Sequence, residues 1–171
     1  AMPIAQFENS DETPLTLTVQ PWGDHYIVPH LAVAGIRYSL RPSADDRSYT
    51  EVAKGSVEFW CNADTYECEI VYPSVFRQLS WDICVNGGWC GGIVDGNPTT
   101  VDDLLPRTGR ISARKFAELT MVADGWPNDE QLEEKYLRWL QAKFVQHVGA
   151  NSVDAEEFLR DIEQPFGNAS S

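Results

Sequence analysis

The chain has 171 residues, 43% of them hydrophobic with 6 Trp, 6 Tyr and 7 Phe, and carries a formal charge of −13. That aromatic content excludes a disordered chain, and the longest apolar run, residues 31–36, is far too short for a membrane-spanning helix. With 5 basic and 13 acidic residues before Pro98 and 8 and 13 after it, both halves are acidic, which disfavours direct binding to DNA, RNA or anionic lipid and favours a basic partner, or simply solubility.

Residues 1–13 are polar, lack periodicity and predict a loose arm. Ala1-Met2 reads as a cloning remnant ahead of a native start, and no signal-peptide pattern follows it. Leu15, Leu17 and Val19 alternate with Thr16 and Thr18, predicting a strand. Residues 21–24 form a turn, 25–28 a short strand stopped by Pro29, and 31–40 a strand with Ala32, Ala34, Ile36, Tyr38 and Leu40 on one face. A loop at 41–46 leads to a short strand at 48–53.

Two hairpins are expected next. In the first, Val57, Phe59 and Cys61 share a face with Cys68, Ile70 and Tyr72, and pairing Cys61 with Cys68 brings the two apolar faces together. In the second, Leu79, Trp81, Ile83 and Val85 alternate with polar residues, Asn86-Gly87 supplies a tight turn, and 89–94 returns. A three-residue turn places Cys84 opposite Cys90 and a two-residue turn places it opposite Trp89; the spacing leaves both open. Residues 95–98, Asp-Gly-Asn-Pro, end the β region.

Beyond Pro98 the pattern becomes helical. Thr99-Thr100 caps a short helix halted by Pro106, and Ser112 caps a second with Phe116, Leu119, Met121 and Ala123 inward and Gly125 closing it. Asn128 caps a longer helix, with Asp129 and Glu130 in its first turn, Leu132, Tyr136, Leu140, Phe144 and Val148 at helical spacing, and Gly149 at its end. Ser152 opens a last one with Phe158, Leu159 and Ile162 inward. No internal repeat of fixed period is evident. The fold class is α+β: an antiparallel β-sandwich or partly open barrel of seven or eight short strands over 14–98, followed by three or four helices over 99–164 packed on it, and a polar tail at 165–171.

No catalytic set emerges. Cys61, Cys68, Cys84 and Cys90 lack the C-x-x-C knuckles of a zinc ribbon, so they read as buried structural thiols, or as one cross-strand disulfide per hairpin in an oxidising compartment. His25 and His30 are the candidate metal ligands, with only His147 besides, on a helix. That scarcity also argues against a Ser-His-Asp hydrolase, and no G-x-S-x-G is present. Gly87-Gly88 and Gly91-Gly92 neither precede a helix nor accompany a Lys, unlike a phosphate loop. Acidic pairs occur at 45–46, 102–103, 129–130, 133–134 and 156–157, but nothing selects two as the carboxylates of a glycosidase.

Trp60 points away from the apolar face of its strand, between Glu58 and Asn62, and Glu67 and Glu69 point outward from the next strand. An outward Trp among acids fits a protein-binding patch made of Glu58, Trp60, Glu67 and Glu69; alternatively, the helical half covers this face. The expectation is a non-enzymatic, cytoplasmic, acidic binding protein without a cofactor that sequesters a basic protein partner and engages neither nucleic acid nor membrane. A bacterial immunity protein or inhibitor of a nuclease-type toxin is one such protein. The alternatives are a small β-sandwich enzyme or ligand binder with a carbohydrate or metal site, or a structural component of a larger assembly.

Overall fold

The computed structural model describes residues 2–40, 42, 45–125, 130–160 and 164–167. The expected cap at Asn128, the first-turn Asp129 and the inward Ile162 lie outside these. The chain is α+β and divides into two compact units, Ala1–Pro73 with Ile162–Ser171, and Ser74–Asp161.

The first unit holds seven strands: β1 (Ile4–Glu8), β2 (Leu15–Gln20), β3 (Asp24–Val28), β4 (Val33–Leu40), β5 (Tyr49–Ala53), β6 (Ser56–Trp60) and β7 (Ala63–Val71). They form two sheets, ordered β1-β4-β7 and β3-β2-β6-β5. All pairs are antiparallel except β2 with β6. Alternation sends Leu17, Val19, Val28, Val57 and Phe59 from one sheet and Ala34, Ile36 and Tyr38 from the other into a shared core. Phe59 packs between Phe7 and Tyr38, each at a centroid distance of 5.5 Å.

Two expectations change here. Residues 4–8, expected within a loose arm, form β1, because Ala5 and Phe7 reach the core from a strand with few apolar residues. The hairpin pairing Cys61 with Cys68 does not form: β6 pairs with β2 and β5, β7 pairs with β4, and Cys68 sits opposite Ile36. At residues 61–62 the chain crosses from one sheet to the other. Two strands facing one core from opposite sides present the same coinciding apolar faces as a hairpin does, so the pattern fits both.

Part of the expected polar tail also packs. Pro165 is buried against Gly35, where an added Cβ would stand 2.2 Å from the Pro165 Cβ. Arg37 lies over the Phe166 ring at 4.4 Å, and the Phe166 amide donates to the Glu69 carboxylate. Residues 164–167 therefore lie on the outer face of the β1-β4-β7 sheet.

The second unit begins with α1 (Val75–Val85), followed by a hairpin of β8 (Gly91–Val94) and β9 (Asn97–Thr100). It continues with α2 (Val101–Leu104), β10 (Arg110–Ser112), α3 (Ala113–Asp124), α4 (Glu130–Val148), β11 (Ser152–Asp154) and α5 (Ala155–Phe158). The expected strand at 79–85 is helix. Leu79 and Ile83, the positions it buries, are four apart and satisfy both a period of two and a helical face. The Ser74 hydroxyl accepts from the Arg77 amide as an N-cap, and Val85, which a strand would have buried, is exposed. Asn86 is the helix C-cap rather than a hairpin turn. The hairpin lies further on, where Asp95 and Gly96 both take positive φ (50° and 79°) between β8 and β9.

Phe116, Phe144 and Phe158 form the aromatic centre of this unit's own core, joined by Leu79, Ile83, Ile111 and Leu140. Around it lies a repeat. Residues 109–116 and 151–158 correspond at a constant offset of 42, with Ala113 matching Ala155 and Phe116 matching Phe158. Ile111 and Val153 pair at the middle of the β10–β11 ladder. The exchange is reciprocal: the Ala113 amide donates to the Asn151 carbonyl (2.8 Å) and the Ala155 amide to the Gly109 carbonyl (2.7 Å). Ser112 and Asp154 each cap the following helix, and the matching phenylalanines meet edge-on at 6.0 Å. Only two of the eight residues are identical, and Arg114-Lys115 stands where Glu156-Glu157 does, so composition hides the relation.

Candidate functional site

The outer face of the β3-β2-β6-β5 sheet gathers the polar side chains that its strands do not bury. Register places His25, Thr18, Glu58 and Glu51 in one row across four strands. Thr18 Oγ1 and His25 Nδ1 are 2.9 Å apart. Glu58 and Glu51 stand directly opposite each other on β6 and β5, and neither has a cationic partner among the described residues. Like charges directly opposite in a ladder are destabilising.

In the adjoining row Trp60 faces Tyr49, and the rings stack with centroids 5.9 Å apart and planes 5° apart. Beside them is an open depression of about 280 Å³, lined by Pro21, Arg47, Tyr49, Trp60, Asn62 and neighbouring Cys61 and Ala63. The Trp60 indole N–H is buried and has no partner among the described residues, which costs about 1–3 kcal/mol for a polar group left unsatisfied. Next to this depression Asp46 accepts from the Tyr38 hydroxyl (2.6 Å) and the Ser48 amide (2.9 Å). These bonds hold the Asp46 carboxyl below the usual carboxylate range. Burial, reinforced by the bond to Asp46, pushes the Tyr38 hydroxyl up to about 12.

The four residues of the expected patch do not lie together. Glu58 and Trp60 share the face just described. Glu67 and Glu69 belong to β7, in the other sheet, where Glu67 pairs with Arg37 and Glu69 accepts the Phe166 amide. The separation follows from the sheet crossing at 61–62. Tyr49 and Glu51 complete the face in their place; their alternation with Thr50 and Val52 was the signal, in a strand too short to reveal its neighbour.

The candidate metal ligands are separately engaged: His25 with Thr18, and His30, whose Nδ1 donates to the Asp11 carbonyl (2.7 Å). Among the described residues no three metal-ligating side chains converge. All four cysteines are free thiols, and burial pushes Cys61 and Cys68 up to about 11.

Within the second unit the charged cluster is of another kind. Both oxygens of Asp82 on α1 accept from Lys143 Nζ (2.9 Å each), one also contacts His147 Nε2 (2.8 Å), and Asn86 Nδ2 donates to the other (2.5 Å). Burial opposes ionisation of Asp82, but Lys143 and His147 outweigh it and hold the carboxyl below its ordinary range. This arrangement ties α1 to α4. Elsewhere in this unit, Asp124 accepts from the Tyr136 hydroxyl (2.9 Å) while its other oxygen is buried without a partner among the described residues; burial raises it to about 6.

Fold and face together define a two-unit α+β protein with an acidic, aromatic sheet surface. No family model matches the chain, and neither a curated protein nor a solved structure matches it.

Proposed function

We propose that this is a non-enzymatic acidic binding protein that sequesters a basic protein partner, as a bacterial immunity protein or an inhibitor of a nuclease-type toxin does. The observation that carries the reading is the unscreened Glu51–Glu58 pair beside the Tyr49–Trp60 stack. Two opposed carboxylates cost stability in the free protein, and a lysine or arginine brought between them relieves that cost. The stacked rings supply a flat apolar anchor next to the charge, the combination found at the energetic centres of interfaces. Four free thiols suit the reducing environment of a cytoplasmic protein.

The test is capture of partners from native lysate on the tagged protein at low salt. A single basic protein, released as salt rises, is the expected result. Its affinity should fall about tenfold, ~1.4 kcal/mol, for the E51Q/E58Q double variant. Failure to retain any protein at low salt, or equal binding by the double variant, overturns the reading.

One observation favours a second reading, a carbohydrate binder. The depression at Tyr49 and Trp60 offers aromatic faces together with Arg47 and Asn62. It lies at the sheet edge, whereas the space between the sheets is filled by apolar side chains. A thermal shift with sugars that Trp60→Ala abolishes would support it.

A further inference from the structure

At the end of α1 the chain turns back along the helix. The Gly88 amide donates to the Ile83 carbonyl (2.9 Å) and the Gly87 amide to that of Cys84 (3.4 Å). Gly88 has no room for a side chain: a Cβ there would meet Ile83 at 2.6 Å and both the Trp139 ring and the Tyr136 hydroxyl at 3.0 Å. This fixed return path brings Cys90 against the helix, where its thiol donates to the Ser80 carbonyl (3.7 Å). Ser80 lies one turn before Cys84 on the same helix face. Cys90 therefore lies against the face of α1 that also carries Cys84. Cys84 is exposed to solvent and Cys90 is partly buried. Cys61 and Cys68 differ: one is buried where the chain crosses between sheets, the other faces Ile36 across β4 and β7.

The geometry points to Cys84 and Cys90 as a dithiol site that reacts with small disulfides and closes reversibly into an intramolecular disulfide. The exposed Cys84 thiol loses its proton to water, and its sulfur attacks one sulfur of oxidised glutathione. The glutathione S–S bond breaks, one glutathione leaves as thiolate, and the other remains on Cys84 as a mixed disulfide. Cys90 then loses its proton and attacks the Cys84 sulfur, expelling the second glutathione thiolate. Two protein thiols are oxidised, one glutathione disulfide is reduced, and the two protons end on the two glutathione thiols. Burial, and then the neighbouring Cys84, push the Cys90 thiol well above its ordinary range. Burial of the Cys90 thiol makes closure quicken as pH rises and its thiolate fraction grows.

The experiment equilibrates the full chain in buffers of reduced and oxidised glutathione, quenches with acid, alkylates and maps the peptides by mass. At the oxidising end we expect a species that has lost two hydrogens, retains no glutathione and maps to Cys84 and Cys90, and that dithiothreitol reverses. Cys61 is buried and should alkylate only after unfolding, and neither Cys61 nor Cys68 should enter the disulfide. Cys90→Ser should stop at glutathione on Cys84, and Cys84→Ser should remain reduced. Wild-type protein that keeps glutathione on Cys84, forms disulfide-linked dimers, or stays fully reduced at the oxidising end overturns the assignment.

Discussion

Carboxylates are treated in opposite ways in the two units. In the second, Asp82 is half-enclosed with Lys143, His147 and Asn86 around it, and Lys143 also reaches over the Trp139 ring at 5.7 Å. In the first, Glu51 and Glu58 face each other across a ladder with no cationic partner among the described residues. The first arrangement consumes its charge internally, so none is left for a partner. The second leaves its charge without a counter-ion among the described residues. Position in a charged cluster therefore says less about function than whether the cluster is already neutralised.

The contrast is broken most severely at Asp82. Replacing it with Ala leaves Lys143 and His147 enclosed without their counter-ion, and denaturant melts should show a loss on the order of 3 kcal/mol. Because the folded carboxyl is held below its ordinary range, its contribution is complete above that range and is lost as pH falls through the lowered folded value. Asp82→Ala should accordingly flatten the acid limb of the stability profile. Gly35→Ala comes next. Its Cβ, 2.2 Å from that of Pro165, forces residues 164–167 off their sheet, and amide exchange should rise there and along β4, with stability falling by about 2 kcal/mol.

Asp124 sharpens the comparison from the other side. Its folded value of about 6 exceeds the ordinary 3.8, so the folded state binds the proton more tightly. Stability falls as pH rises between these values, and the cost is complete above about 6. Asp124→Asn should therefore raise stability at pH 7 by about 1 kcal/mol, a figure reduced for partial solvent screening, and change nothing where both forms are protonated. The smallest effect belongs to Glu51→Gln, which should stabilise the free protein by ~0.3 kcal/mol at low salt while weakening partner capture. A variant that gains stability and loses binding is the signature of a charge kept for a partner.

Much of the β unit was legible because its strands alternate: Leu17 and Val19, and Ala34, Ile36 and Tyr38, point inward as their period of two requires. Helix ends were legible at Ser112 and Gly125, whereas the last helix is capped by Asp154 and not by the expected Ser152, which lies in β11. Ambiguity entered where one residue set obeys two periods. Leu79 and Ile83 are apolar on a strand face and on a helix face alike, and the deciding cap, Ser74, lies outside the run. Sheet assignment was illegible at β6 and β7, since inward alternation does not reveal from which side of a core a strand faces it. The site was half-legible for the same reason: Trp60 and Glu58 are correctly outward, but their true neighbours depend on the partner of β6, which is a long-range pairing.

The division of the chain also has a consequence for how it is made. The first unit takes its opening stretch from Ala1–Pro73 and its closing piece from beyond residue 161, so the whole of Ser74–Asp161 is synthesised before the first unit can be completed. On the ribosome the second unit, whose core lies within one continuous stretch, can fold as soon as it emerges. The sandwich must wait, with Gly35 bare and the Glu69 carboxylate without the Phe166 amide, until residues 164–167 arrive. Translation order thus makes the unit that carries the proposed binding face the last to be finished, and a nascent chain stalled before residue 164 should hold a folded second unit and a sandwich with one outer face still uncovered.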